Sequence, residues 1–333
     1  MKWGVLGAAN IALKKVIPGM QRAEWCEITA LASRDAAKAR RAAAELGIPK
    51  AYGSYEELLA DPEIEAIYNP LPNHLHVPWT IKAAEAGKHV LCEKPIGLNV
   101  QDALPLLEAR DRTGVKIEEA FMVRTHPQWI RVLELIRADR IGQVRSVMGQ
   151  FSYDNPDPHN IRNIAELGGG GLMDIGCYLI LFSRLIFQDE PRRVVGLIQE
   201  DAANGTDVLT SALLDFRQGQ SAFTCSTRMT PFQRVQVMGT RGRIEVQIPV
   251  NAPADRACRI LIDDGSDLFG AGTETIEFEV CDQYTIQGDL FARSIRENHE
   301  PIISLEESIR NMAVIDAVFA SARSGQWEVP GTI

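Results

Sequence analysis

Residues 3–12, Trp3-Gly4-Val5-Leu6-Gly7-Ala8-Ala9-Asn10-Ile11-Ala12, carry the reading that decides the fold. The apolar run Trp3 to Leu6 is a strand that breaks at Gly7 and passes into a helix reaching about Gln21. Strand, glycine turn and helix in that order match the G-x-G-x-x-G/A pattern of dinucleotide binding, with Ala9 in the place of the second glycine. Gly7 makes the tight turn, and Ala12 is small enough for the helix to pack on the strand. Gly7, Ala8, Ala9, Asn10 and Ile11 are therefore candidate cofactor contacts. Ala9 carries a Cβ where backbone approaches a pyrophosphate, so these residues alone fit a generic β-turn-α unit equally well.

The next strand is more informative. Glu27 to Ala32 is apolar and ends in Ser33-Arg34-Asp35, followed by a helix bearing Lys38, Arg40 and Arg41. An acid at this strand end binds a ribose 2′-hydroxyl, whereas an arginine accommodates a 2′-phosphate. Ser33 offers a hydroxyl and Arg34 a planar fork suited to phosphate oxygens. Asp35 reads as a helix N-terminal acid. Ser33, Arg34 and Lys38 thus point to NADP in preference to NAD.

Further along, Ser54-Tyr55-Glu56-Glu57 is a capping box. The strand Ala66-Ile67-Tyr68 runs into Asn69-Pro70-Leu71-Pro72-Asn73-His74-Leu75-His76, a loop stiffened by two prolines. Pro70, Leu71, Asn73 and His76 are candidate cofactor contacts there, although a lone histidine is more often structural. A helix from Val77 to Ala86 stops at Gly87 and feeds Lys88-His89-Val90-Leu91-Cys92-Glu93-Lys94-Pro95-Ile96-Gly97. Its apolar part is a short buried strand ending in Glu93 and Lys94, with proline stopping the strand at once. A lysine at the carboxyl edge of a parallel strand faces the crevice where open α/β sheets bind ligands. Lys94 reads as the active-site lysine and Glu93 as its cofactor-side neighbour. Asn99 starts another helix that Gly114 ends, and Val115 to Val123 is a further strand. The first domain is expected over residues 1–124 and the second over 125–333, with the last helices able to pack back on the first.

From about Gln143 the periodicity changes to alternation. Six strands are expected, at Gln143–Tyr153, Arg193–Glu200, Val208–Phe216, Gln220–Met229, Arg234–Val237 and Arg243–Ile248. The fold class is α/β: a Rossmann dinucleotide-binding domain followed by an α+β domain with a large, mainly antiparallel open sheet. Two helices close the chain, from about Gln283 to Glu297 and from the Ser304-x-x-Glu307 cap to Ser324. Among the strands lies Glu166-Leu167-Gly168-Gly169-Gly170-Gly171-Leu172-Met173-Asp174-Ile175-Gly176-Cys177-Tyr178. Four glycines give backbone freedom to approach a ligand. Asp174 and Tyr178 are i and i+4 and share a helical face. Standing alone, they fit a first-turn acid and a core aromatic as well; beside a lysine from another domain, they form a proton-transfer set.

The totals narrow the classes. A chain of 333 residues with 45% hydrophobic and 24% charged residues is an ordinary soluble composition of about two domains. A net charge of -9 offers no basic excess for nucleic acid. No stretch reads as a membrane span, and the first residues lack the features of a signal peptide. The six cysteines are dispersed without a Cys-x-x-Cys, which points to reduced thiols in a cytoplasm and to no metal site.

Together these pieces resemble the glucose–fructose oxidoreductase / inositol dehydrogenase / rhizopine-catabolism (Gfo/Idh/MocA) oxidoreductase family over the whole chain. Glu93-Lys94-Pro95, the Gly168–Tyr178 segment and the Gly7 fingerprint carry the resemblance. Glu119-Ala120-Phe121-Met122-x-Arg124, Asn160-Ile161-Arg162 and the tyrosine at 178 make it most similar to the NADP-dependent D-xylose 1-dehydrogenases and dimeric dihydrodiol dehydrogenases. Thr125 and Ile161 depart from aromatic residues common at those places, which bears on the sugar accepted. The resemblance implies a cis Lys94–Pro95 bond and places Arg162 among the cofactor contacts. It implies a homodimer or homotetramer formed through the second-domain sheet, and a sugar or polyol substrate. The expected reaction oxidises a pyranose at its anomeric carbon, with Tyr178 taking the proton, Lys94 supporting it and Asp174 orienting the sugar. A ketosugar reductase, a trans-dihydrodiol dehydrogenase or a glucose–fructose oxidoreductase would use the same residues. A non-catalytic nucleotide sensor would need only the fingerprint.

Overall fold

The structure, a computed structural model, describes residues 1–332. It divides into two compact units, one of Met1–Met122 with Asp282–Ile309 and the other of Val123–Cys281 with the residues from Arg310 onward. The division is therefore not one cut after residue 124, because the helix Gln283–Arg296 returns to the first unit.

The first unit is built on a six-stranded parallel sheet. Its strands are β1 (Lys2–Leu6), β2 (Glu27–Ala32), β3 (Lys50–Tyr52), β4 (Ala66–Asn69), β5 (His89–Cys92) and β6 (Ile117–Glu119), in the order β3-β2-β1-β4-β5-β6. That is the doubly wound order, with its switch point between β1 and β4. Continuous apolar runs suit these strands because both faces are covered. Along β5, Val90 and Cys92 enter one core while Leu91 enters the other, and β4 divides Ile67 from Tyr68 in the same way. Phe291 of the returning helix closes the second core against Trp3, with ring centroids 5.8 Å apart.

The helix after β1 begins at Asn10 and contains a π turn over Ala12–Val16 before Pro18, as expected in extent but wider in its first turns. The strand expected over Val115–Val123 is only Ile117–Glu119. Ala120 still donates to the Cys92 carbonyl, but Phe121 N–H turns back to the Glu119 carbonyl and the ladder stops.

In the second unit an eight-stranded sheet comprises β7 (Val144–Asp154), β8 (Arg193–Glu200), β9 (Asp207–Asp215), β10 (Gln220–Ser226), β11 (Arg228–Gly239), β12 (Arg243–Val246), β13 (Cys258–Asp263) and β14 (Thr273–Phe278). The order is β14-β13-β12-β11-β7-β10-β9-β8, antiparallel except for the parallel pair β7 and β10. Two strands beyond the six expected, β13 and β14, form the edge. β14, Thr273-Glu274-Thr275-Ile276-Glu277-Phe278, is mostly exposed, with Thr273, Thr275 and Glu277 on one face, a charged and polar pattern that leaves a weak apolar signal and protects an edge from further pairing. What reads as one strand over Gln220–Met229 breaks at Thr227, whose N–H crosses to the Val208 carbonyl.

One face of this sheet carries buried Val147, Ala212, Leu214, Phe223, Val235 and Val237. The other leaves Met148, Leu197, Leu213 and Phe232 exposed by 53%, 77%, 48% and 41%. The strand register aligns Val195, Leu213, Ala222, Met148 and Gln236 in one row across five strands of that open face. The run Ala165–Phe187 has the length and hydropathy of a membrane span, a test that the core helix of a globular unit also passes, and 89% of its most apolar 18-residue window is buried inside the protein.

Candidate active site

Each unit contributes one group of site residues. In the first, Gly7 sits at φ +88° between β1 and the following helix, and its N–H donates to the Ala32 carbonyl at 2.8 Å. A side chain is disfavoured at that φ, so glycine is required at the turn. Ala8, Ala9, Asn10 and Ile11 follow as the helix begins, and amides at such a terminus suit phosphate. At the end of β2, Asp35 caps the next helix, its carboxylate accepting from the amides of Ala37 and Lys38 at 2.8 and 3.0 Å. The Lys38 amide, then the Ala37 amide and nearby cations, hold this carboxyl below the usual range. Asp35 is thereby engaged in the helix, while Arg34 and Lys38 are exposed beside buried Ser33. This set fits a dinucleotide carrying a 2′-phosphate.

The loop after β4 is organised by Asn69, a fully buried residue that nothing in the sequence singled out. Its Nδ2 donates to the His76 carbonyl and to Thr80 Oγ1, both at 3.1 Å, and its Oδ1 accepts from Leu71 N–H. Pro70, Leu71 and Asn73 lie on this loop, with Asn73 half-buried. His76 corrects the sequence reading. It is 1% exposed, and its two ring nitrogens lie 2.7 Å from the carbonyls of Pro95 and Leu71. Burial, with help from Lys94, pushes its pKa down to about 4 against the pull of those carbonyls. A neutral ring carries a single N–H, which donates to one of these two carbonyls, and the enclosed ring presents no nitrogen to solvent.

The Lys94–Pro95 peptide is cis. Around it, Tyr68 Oη donates to Glu93 Oε1 at 2.5 Å, and the Ile96 amide donates to Glu119 Oε1 at 2.8 Å. With His76 at the Pro95 carbonyl, the residues on both sides of Lys94 are fixed. Lys94 itself is half-buried. Glu119, which opens the Glu119-Ala120-Phe121-Met122-x-Arg124 motif of the sequence, is 2% exposed, an acid buried in a short strand.

In the second unit the centre is Asp174. Its Oδ2 accepts from Tyr153 Oη at 2.6 Å and lies 2.9 Å from Arg162 Nε. Burial first, and then the Asp174 charge, drives the Tyr153 phenol well above its ordinary pKa. Arg162, expected among the cofactor contacts, is the ionic partner of Asp174. Tyr178 lies on the same helical run, 4% exposed, its ring 6.4 Å from those of both Phe151 and Phe182. Thr125 is buried, while Ile161 next to Arg162 is 41% exposed.

The glycine run does something other than the sequence suggests. Gly170, at φ +119°, donates its N–H to the Arg162 carbonyl and accepts from Asp174 N–H through its own carbonyl. A Cβ on Gly170 would fall 2.0 Å from Asp207 Oδ1, and one on Gly169 would fall 2.6 Å from the Arg162 carbonyl oxygen. These glycines give room to the protein's own Asp207 and backbone. Asp207 was missed because it precedes an expected strand and carries no motif.

A doubly wound unit with a phosphate-suited turn, joined to an open-sheet unit bearing a carboxylate and a tyrosine, defines an NAD(P)-dependent oxidoreductase. Comparison with known proteins agrees. Residues 1–121 match the family model of the oxidoreductase family with NAD-binding Rossmann fold, and residues 129–245 match the GFO/IDH/MocA C-terminal domain. The chain belongs to the Gfo/Idh/MocA oxidoreductase family and is an oxidoreductase acting on CH–OH groups. An uncharacterized oxidoreductase, ORF334 of Rhizobium meliloti, is 47% identical over 98% of both chains. D-xylose 1-dehydrogenase (NADP(+)) 2 of Haloferax volcanii is 40% identical over 98% of both. The crystal structure of KijD10, a 3-ketoreductase from Actinomadura kijaniata with NADP and TDP-benzene, superposes with a TM-score of 0.90 at 28% identity, covering 96% of this chain and 97% of that one.

Proposed function

We infer that this enzyme oxidises an aldopyranose of the D-xylose or D-glucose type at its anomeric carbon, with NADP as the oxidant. The observation that carries the reading is Asp174, held by Arg162 and Tyr153, on the same helical run as Tyr178. A carboxylate fixed by two donors accepts a sugar hydroxyl in one orientation. NADP, when bound, supplies the nicotinamide ring that accepts the hydride. Gly7, Ala8, Ala9, Asn10 and Ile11 hold its pyrophosphate, Ser33, Arg34 and Lys38 its 2′-phosphate, and Pro70, Leu71, Asn73 and Glu93 its remaining length.

Tyr178 takes the proton of the reacting hydroxyl. A free phenol titrates near about 10, and lowering it by two units requires about 2.7 kcal/mol in favour of the phenolate. Lys94 is the cation read for this role; a unit-charge pair at about 4 Å is worth roughly 1 kcal/mol in water and roughly 4 at an effective dielectric of 20, so it suffices where cofactor and substrate exclude water. The same groups return a proton to a ketosugar in the reverse direction. The 40% identity to a D-xylose 1-dehydrogenase over nearly the whole chain favours the aldose.

Two further readings accompany it. The open sheet face with Met148, Leu213 and Phe232 joins copies of the chain into a homodimer or homotetramer. Six free cysteines, four of them buried, suit a cytoplasmic setting. The test of the reaction is NADPH absorbance with a panel of aldoses, ketosugars and dihydrodiols, run in parallel with NAD. Turnover of D-xylose or D-glucose with NADP supports the assignment, and turnover of a dihydrodiol alone overturns it.

A further inference from the structure

We propose that Asp207 is a positioning residue for the reaction, its buried carboxylate fixing the first turn of the helical run that carries Asp174 and Tyr178. The proposal rests on the reading of those two residues as the substrate-side machinery. Asp207 opens β9 and is 3% exposed. Its Oδ2 accepts from Leu172 N–H at 2.7 Å and from Thr210 Oγ1 at 2.8 Å. The Gly171 amide also donates to it. Its other oxygen fills the space that a side chain at Gly170 would need.

The consequence follows from connectivity. Gly170 bonds the Arg162 carbonyl through its N–H and Asp174 N–H through its carbonyl at 2.8 and 3.0 Å. One anchored glycine thereby sets the backbone of both partners in the Arg162–Asp174 pair. The run then enters a π turn over Leu172–Gly176, where the helical ladder is wider and less self-supporting. A buried carboxyl acceptor at this end satisfies amides that have no partner within the helix. Removing it loosens the π turn that contains Asp174 and, through it, the start of the following helix that carries Tyr178, without touching substrate.

Asp207→Asn keeps the shape and one acceptor but puts an NH2 group among donors. Thr210→Val, at a fully buried position, removes a single donor and keeps the volume. Both full-length variants are assayed with NADP and the best aldose, and NADP affinity is read by fluorescence titration. Amide hydrogen exchange is followed across residues 168–180. The expected result for D207N is a fall in kcat of about a hundredfold, the scale of a small misplacement of reacting groups. NADP affinity stays within about twofold, because its site lies in the other unit. Exchange rises in 170–178 ahead of the rest of the second unit, the mark of a local opening. T210V shifts kcat and exchange in the same direction by less, and it decides the matter if D207N does not fold.

A purely structural role lowers the melting temperature of D207N but leaves kcat per folded molecule unchanged, and that result overturns the proposal. Unchanged exchange in 170–178 overturns it also. Should the wild-type enzyme turn over no aldose, the exchange arm still decides whether Asp207 holds this turn, so failure of the substrate reading is told apart from failure of the proposal.

Discussion

Arg162 Nε lies 2.9 Å from Asp174 Oδ2, and Tyr153 Oη donates to that same oxygen at 2.6 Å. One carboxylate oxygen is thus engaged by a cation and a phenol at once. The pair orients the carboxylate rather than merely neutralising it, since the guanidinium remains partly exposed and its Coulomb energy is screened. Tyr153→Phe removes one of the two donors while keeping the ring. KM for the sugar is expected to rise about tenfold, equivalent to about 1.4 kcal/mol, with the NADP constant unchanged. Steady-state kinetics with each substrate varied in turn checks this.

Arg34 stands at the end of β2, exposed, while neighbouring Asp35 is committed to capping the next helix. Without an acid at the ribose position, discrimination rests on the arginine. Arg34→Ala is expected to weaken NADP by roughly ten- to a hundredfold and to leave NAD nearly unchanged. Parallel titrations with the two nucleotides measure the ratio, and an unchanged ratio removes the NADP preference.

Stability should depend on two buried histidines. Burial pushes His76 and His126 each down to about 4, whereas an unfolded histidine titrates near about 6.5. The unfolded chain therefore binds more protons between those values. The stability associated with the neutral rings is complete above about pH 6.5 and is lost as pH falls through the folded values near 4. For His76 the full effect is about 3 kcal/mol. Thermal melts from pH 7 to 4.5 should show a falling Tm, and His76→Asn should flatten part of that slope.

The open face of the second sheet gives a prediction about assembly. Leu213 is 48% exposed in the row from Val195 to Gln236, between Val195 and Ala222. A charge there disfavours burial against a second copy but costs little in the isolated unit. Leu213→Glu is expected to lower the mass seen by light scattering to that of one chain while the fold persists by circular dichroism.

Much of this was legible in the sequence because the first unit obeys local rules. Gly7 ends a strand, Ser33-Arg34 ends the next, and proline follows Lys94, so each site residue is marked by the element that stops there. The second unit is less readable. Its β13 and β14 fall after the expected last strand, and β14 has a polar face that alternation cannot distinguish from a loop. His76 was assigned to the cofactor because its loop is polar, yet both ring nitrogens turn inward to carbonyls. One of these carbonyls, on Pro95, lies beyond the next strand and the other, on Leu71, in the same loop, and residue type marks neither contact. Tyr153 and Asp207 act through hydrogen bonds to a distant segment, and Asn69 bonds within its own loop and the helix after it, to Leu71, His76 and Thr80. The glycine run was visible, but the sequence does not say whether glycines make room for a ligand or for the protein's own carboxylate.

The central claim is that Lys94 and Tyr178 act as one proton-transfer unit, and a double-mutant cycle on kcat tests it most directly. Lys94→Met and Tyr178→Phe are each expected to lower kcat by about a thousandfold, within the range of general acid–base catalysis. The double variant should be little worse than either alone, because residues that act together lose their effect together. Near-normal kcat in both single variants, or losses that simply multiply in the double, would contradict the account.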